Sequence, residues 1–185
     1  MDAWMWIVLA VVAVAVLAVG WQAMRSRSSK QLQEGFGPEY EHVVEETGDK
    51  RDAERELKER RDRREELEIR SLSADARSRY TAEWREVQAR FVDEPEAAVH
   101  DADRLVQEVM ADRGYPVDDD FERRAADVSV DYPDVVENFR EGHRLVQEQG
   151  DSDGDTESLR QAMVHFRSLF DELLGEKRTH EEARR

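Results

Sequence analysis

Residues 73–114 read SADARSRYTAEWREVQARFVDEPEAAVHDADRLVQEVMADRG, and this stretch decides the fold class. In its first half the apolar positions are Ala76, Tyr80, Trp84, Val87 and Phe91, at steps of four, four, three and four. A helix turns once in about 3.6 residues, so these side chains fall on a single stripe. Ser73 stands where an N-cap is wanted, because its hydroxyl can accept from a free N–H of the first turn. The spacing predicts a helix from Ser73 to Val92. Asp93 is a candidate cap for the next helix, and Pro95 suits the first turn, where the missing N–H costs nothing. That helix runs to Arg113 and buries Ala98, Val99, Ala102, Leu105, Val106, Val109 and Met110. Gly114 stops it, and Tyr115-Pro116 turns the chain.

The same periodicity continues toward the C-terminus. Asp118-Asp119-Asp120 precede a short helix with Phe121, Ala125 and Val128 inward, and acids at a helix start suit the dipole. Asp131-Tyr132-Pro133 makes a second turn and opens a helix bearing Val135, Val136, Phe139, His143 and Val146. Residues 150–155 read as an acidic loop. Thr156 caps the last helix, whose stripe is Leu159, Met163, Phe166, Leu169, Phe170, Leu173 and Leu174, with Gly175 ending it. Alternation appears only over Asp127–Asp131, too short and isolated for a sheet. The expectation is all-α: a small bundle of four to five helices over residues 71–175, with a polar tail over 176–185.

Toward the N-terminus the composition changes. Residues 49–70 carry nine acids and nine bases. Glu56–Arg60 and Glu59–Arg63 are examples of helical i,i+4 pairs, and the segment reads as a charged helical arm. A basic strip for nucleic acid is disfavoured because the acids cancel the bases, and the apolar seam is too thin for a coiled coil. Residues 25–48 read as an acidic tether broken by Gly35, Gly37, Pro38 and Gly48. Residues 1–24 read as an anchor: Ala3–Trp21 is a run of 19 residues without charge. As a helix it would cover roughly 28 Å, close to a bilayer core. A cleaved signal peptide is disfavoured by the absence of a basic n-region and of a small-residue cleavage site. Trp4, Trp6 and Trp21 would mark the bilayer boundary, with Arg25 and Arg27 behind it. Bases follow the span and none precede it, which places the N-terminus outside and the domain in the cytosol, at the inner membrane.

The whole chain has 185 residues, with 28 Lys and Arg against 44 Asp and Glu, for a net charge of −16. There is no cysteine, which excludes disulfides, cysteine nucleophiles, thiolate metal sites and lipid attached through cysteine. Residues 71–155 carry 23 acids and 10 bases, so this region repels nucleic acid and suits a basic protein partner. Asp151-x-Asp153-x-Asp155 resembles the start of a calcium loop, but Thr156 stands where glycine is needed and Ala162 where the bidentate Glu is needed. No paired-histidine metal motif, glycine-rich phosphate loop or nucleophile elbow occurs. No catalytic, cofactor-binding or metal-binding residue is therefore assigned.

The individual features are the turns Gly114-Tyr115-Pro116 and Asp131-Tyr132-Pro133. Tyr115, Pro116, Tyr132, Pro133 and His143 are the candidate partner-binding residues. The competing reading is that each tyrosine staples a helix end. With Phe91-Val92-Asp93-Glu94-Pro95, these two turns and Leu159-Arg160-Gln161-Ala162-Met163, residues 80–174 resemble a family of bacterial single-pass membrane proteins with a small helical domain. That resemblance implies an architecture and brings no established activity or cofactor. The functional expectation is a membrane-anchored protein-interaction module, a scaffold, adaptor or regulator that is not an enzyme. It would touch the lipid bilayer through residues 3–21 and a protein partner through its acidic domain. The alternative is an enzyme or metal-dependent domain with a site around His143 and His165.

Overall fold

The computed structural model describes Trp4 and residues 26–118, 120–149 and 156–175. All regular structure among them is helical. Residues 26–36 form α1, followed by α2 (Pro38–Thr47), α3 (Lys50–Glu66), α4 (Ala74–Arg90), α5 (Pro95–Arg113), α6 (Phe121–Ser129), α7 (Val136–Gln149) and α8 (Thr156–Leu174). The chain divides into two compact units, Met1–Lys58 and Glu59–Arg185, with the division inside α3.

In the first unit the expected tether is helical over most of its length. Leu32, Phe36, Tyr40 and Val43 recur at steps of four, four and three and are buried, as are Ala53 and Leu57. Pro38 starts α2 at the position where a proline is tolerated. Glu54 is also buried, and three groups hold it. It accepts hydrogen bonds from Ser29 and from the Tyr40 hydroxyl (3.0 Å), and Lys50 Nζ lies 3.7 Å away. Burial pushes the Glu54 carboxyl up, but the two hydrogen bonds and the charges of Lys50 and Lys58 outweigh it, so the net shift is downward.

The second unit is a bundle. α8 packs against both α5 and α7, α4 packs on α5, and α6 on α7. The α8 stripe Leu159, Ala162, Met163, Phe166, Leu169, Phe170, Leu173 and Leu174 is buried throughout. Trp84 of α4 is 1% exposed and stacks on Phe170 with ring centroids 4.5 Å apart. Two side-chain caps follow the sequence, while the expected Asp93 cap is not used, since Glu94 precedes α5 without a side-chain cap hydrogen bond, and Thr156 lies inside α8 as its first residue. Ser73 accepts from Ala76 N at 3.1 Å, Asp120 caps α6 by accepting from Arg123 N, and Pro95 opens α5. Gly114 closes α5 with φ 96°, a left-handed conformation that favours glycine. A Cβ there would also stand 2.5 Å from the Glu68 carbonyl oxygen, because Arg70 N donates to Arg113 O and holds residues 67–70 against the end of α5.

The membrane-spanning expectation is corrected. Among the described residues, no helix is long and apolar enough to cross a membrane. The longest, α5 and α8, have 19 residues each, yet each carries acids and bases along its outer face, such as Asp101, Arg104 and Glu108 in α5. The physical cost of placing such charges in hydrocarbon excludes both as spans. The all-α part of the expectation stands; the single-pass architecture, the inner-membrane location and the outside-to-cytosol orientation do not. Apart from Trp4, which is 63% exposed, the run over 3–21 lies outside the described residues, as do Trp6, Trp21 and Arg25. Arg27 is exposed on α1.

Trp84→Ala removes the largest buried ring and its stack on Phe170, and is expected to cost about 3–5 kcal/mol. Urea unfolding followed by circular dichroism checks this. A second check is Gly114→Ala, which meets both an unfavourable φ and a backbone oxygen, and should lower the midpoint more than an alanine substitution at Gly48, where a Cβ meets nothing within 4 Å.

Candidate protein-interaction site

The two Tyr-Pro turns come together. Tyr115 (3% exposed) and Tyr132 (6%) are both buried, while Pro116 and Pro133 are half-buried. The Tyr115 hydroxyl donates to Asp131, and Arg64 Nε of α3 donates to the same carboxylate oxygen. Burial and this carboxylate push the Tyr115 hydroxyl pKa well up, so it stays a donor. Arg113 lies over the Tyr132 ring at 5.6 Å and donates to Leu173 O at 2.6 Å. Neither phenol ring is offered to solvent. The turns therefore work as internal fasteners: one carboxylate ties the end of α3, the first turn and the second turn to one another. Two further arginines of α3 reach α6. Arg60, 5% exposed, donates to Ser129 Oγ at 3.4 Å, and Arg63 Nε lies 3.5 Å from Asp127 Oδ1. The second half of the expected arm thus belongs to the bundle.

His143 of α7 stacks flat on Phe121 of α6, with centroids 3.7 Å apart and an interplanar angle of 6°. Burial pushes its pKa down; the charge of Asp103 opposes this and that of Arg124 adds to it. His165 is placed differently, with Nδ1 3.2 Å from the Asn138 side-chain oxygen. The structure gives the two histidines separate neighbours. Among the described residues no group of three or more His, Cys, Asp and Glu is arranged to hold a metal ion.

Asp103 of α5 escaped the sequence reading. Its Oδ2 accepts from Gln107 at 2.9 Å, but Oδ1 is buried without a hydrogen-bond partner. Burial pushes the carboxyl up, and the nearby charges of His143 and Arg124 only partly offset this. Its spacing, four after Val99 and three before Val106, marks it as lying at the edge of the apolar stripe, which is the signal that could have found it.

A concave surface lies between α4 and α5, a groove of about 270 Å³. Val87 and Leu105 form its floor. Glu83 and Glu86 line it from α4, and Asp101 and Glu108 from α5. Its two bases, Arg90 and Arg104, both pair with Asp101, the second at 2.6 Å. Glu83 lies 3.7 Å from Arg79, Glu108 is 3.9 Å from Arg104, and Glu86 has no partner among the described residues. Exposed pairs of this kind contribute about 0–1 kcal/mol each, so they exchange readily for an incoming base. Val87 and Leu105 were read as core positions, but none of the charged residues was singled out in the sequence, since four acids in a chain with 44 carry no signal until two helices are juxtaposed.

Asp103→Asn is expected to stabilise the protein at neutral pH. A carboxyl whose folded pKa is raised loses stability as pH rises through that pKa. The gain from the substitution should therefore shrink as pH falls toward about 4, where Asp103 protonates in both states. Urea midpoints of both proteins across this range test the sign.

No family model, no curated protein and no solved structure matches the chain, so the reading of the site stands on its own residues.

Proposed function

We propose that the second unit is a protein-interaction module, a scaffold or adaptor, and that the α4–α5 groove receives a basic segment of a partner protein. The observation that carries this reading is the groove itself: a short apolar floor under Val87 and Leu105, with four carboxylates against two guanidiniums that share one acid. Lysines or arginines of a partner would displace Arg90 and Arg104 from Asp101, while its apolar side chains covered the floor. The net charge of the chain adds a long-range field that speeds encounter with a basic surface and repels phosphate. An enzymatic reading would need His143 and His165 to share a reactive locus. The stack of one on Phe121 and the contact of the other with Asn138 give that reading no support.

A photo-crosslinking residue in place of the exposed Glu86 tests the proposal in cells that express the full chain. The expected result is capture of protein segments rich in Lys and Arg. Capture should be lost when Glu83→Lys and Glu108→Lys are added and should weaken as salt rises. Capture unchanged by the charge reversal, or capture of acidic segments, contradicts it.

A further inference from the structure

A second groove, of about 240 Å³, lies on the other flank of α4, against α8. Its apolar lining is Phe91, Met163 and Val164. Val164 is 56% exposed, and Val92, next to Phe91, is 83% exposed. Within the described part of the second unit the only other large exposed hydrophobic is Val117. The bundle has buried its apolar side chains nearly everywhere, so an exposed valine lining the groove, with a second one residue along the chain from its Phe91, marks a surface open to covering.

The polar lining sets the chemistry of the cover. Arg160 and Arg167 of α8 both line this groove. They are seven residues apart, two helical turns or about 10.5 Å along the axis, and Met163 and Val164 lie between them. Arg167 lies over the Trp84 ring at 5.4 Å, which fixes its guanidinium at the groove wall. Each arginine is paired with an acid of its own helix: Arg160 with Glu157 at 2.6 Å and Arg167 with Asp171 at 2.7 Å. Such local pairs exchange at little cost for a carboxylate brought in by a ligand whose apolar face is being buried at the same time. In a chain of net charge −16, no acid lines this groove.

We propose that the α4–α8 groove docks an amphipathic helix of a partner protein that carries two carboxylates seven residues apart. Two apolar residues between them, at the third and fourth positions after the first acid, would rest on Phe91, Met163 and Val164. The carboxylates would meet Arg160 and Arg167. An extended segment covers the same distance in about three residues and presents one side chain to the groove between its ends. A helix presents an i+3, i+4 pair, which matches the adjacent Met163 and Val164. This site is separate from the acidic groove and opposite to it in charge, so it stands or falls independently.

The test titrates the full chain into a fluorescent stapled helical peptide with glutamates at i and i+7 and leucines at i+3 and i+4, read by anisotropy. The comparison peptide carries lysines in place of the glutamates. In the Glu83→Lys, Glu108→Lys background, where the acidic groove no longer takes the lysine peptide, the expected result is preference for the glutamate peptide. Val164→Asp should weaken binding about tenfold, and Arg160→Glu should weaken it while improving binding of the lysine peptide. Both positions are exposed, and unchanged circular dichroism and unfolding midpoints verify that the fold survives. Glu83→Lys with Glu108→Lys should leave binding of the glutamate peptide undiminished, which separates this site from the acidic groove. Equal affinity for the two peptides in that background, no binding of the glutamate peptide, or indifference to Val164→Asp overturns the proposal.

Discussion

The stack of Trp84 on Phe170 is the contact on which both grooves depend. It pins α4 to α8 through one fully buried ring, and α4 in turn forms a wall of both grooves. Residues 83, 86, 87 and 90 of this helix face α5, while Gln88 and Phe91 face α8. A helix with 3.6 residues per turn can serve two neighbours in this way only if its own position is fixed between them. The aromatic payload of Trp84, with the guanidinium of Arg167 over it, supplies that fixing from the middle of the helix.

A second constraint is electrostatic and centres on Asp131. Asp131 accepts from Tyr115 and from Arg64, so one carboxylate joins three chain segments. Around it Arg60 meets Ser129 and Arg63 meets Asp127. A half-buried carboxylate with two good donors stabilises a turn that would otherwise carry a desolvation penalty. Asp103 shows the contrary case. It has one donor for two oxygens, and its raised pKa reflects the cost.

Much of the bundle is legible in the sequence. Tyr80, Trp84 and Val87, or Phe166, Leu169 and Phe170, announce a helical stripe whatever they pack against, and Ser73, Pro95 and Gly114 punctuate it. Two packing faces were hidden. The stripe of α1 and α2, Leu32, Phe36, Tyr40 and Val43, was masked by the glycines and proline around it, because Pro38 reads as a breaker unless it is seen to occupy the first turn. The docking face of α3 was masked by composition. Arg60 and Arg64 stand a helical step apart and meet Ser129 and Asp131, but arginines are discounted in a search for apolar faces. The apolar run over 3–21 had hydropathy in its favour, yet no helix among the described residues meets the length and apolarity of a span. The grooves were not legible at all, because each is made by residues of two helices whose juxtaposition no local pattern encodes.

The central claim is that one helix separates two docking surfaces of opposite charge. Amide chemical shifts of the isotope-labelled full chain, recorded with a saturating lysine-bearing helical peptide, then with the glutamate-bearing peptide, then with both, test it most directly. The account predicts two separate sets of shifted residues. One is centred on 83, 86, 101, 105 and 108, the other on 88, 91, 160, 163 and 164, and both sets should appear together when both peptides are present. A single shared set, or displacement of one peptide by the other, would contradict it.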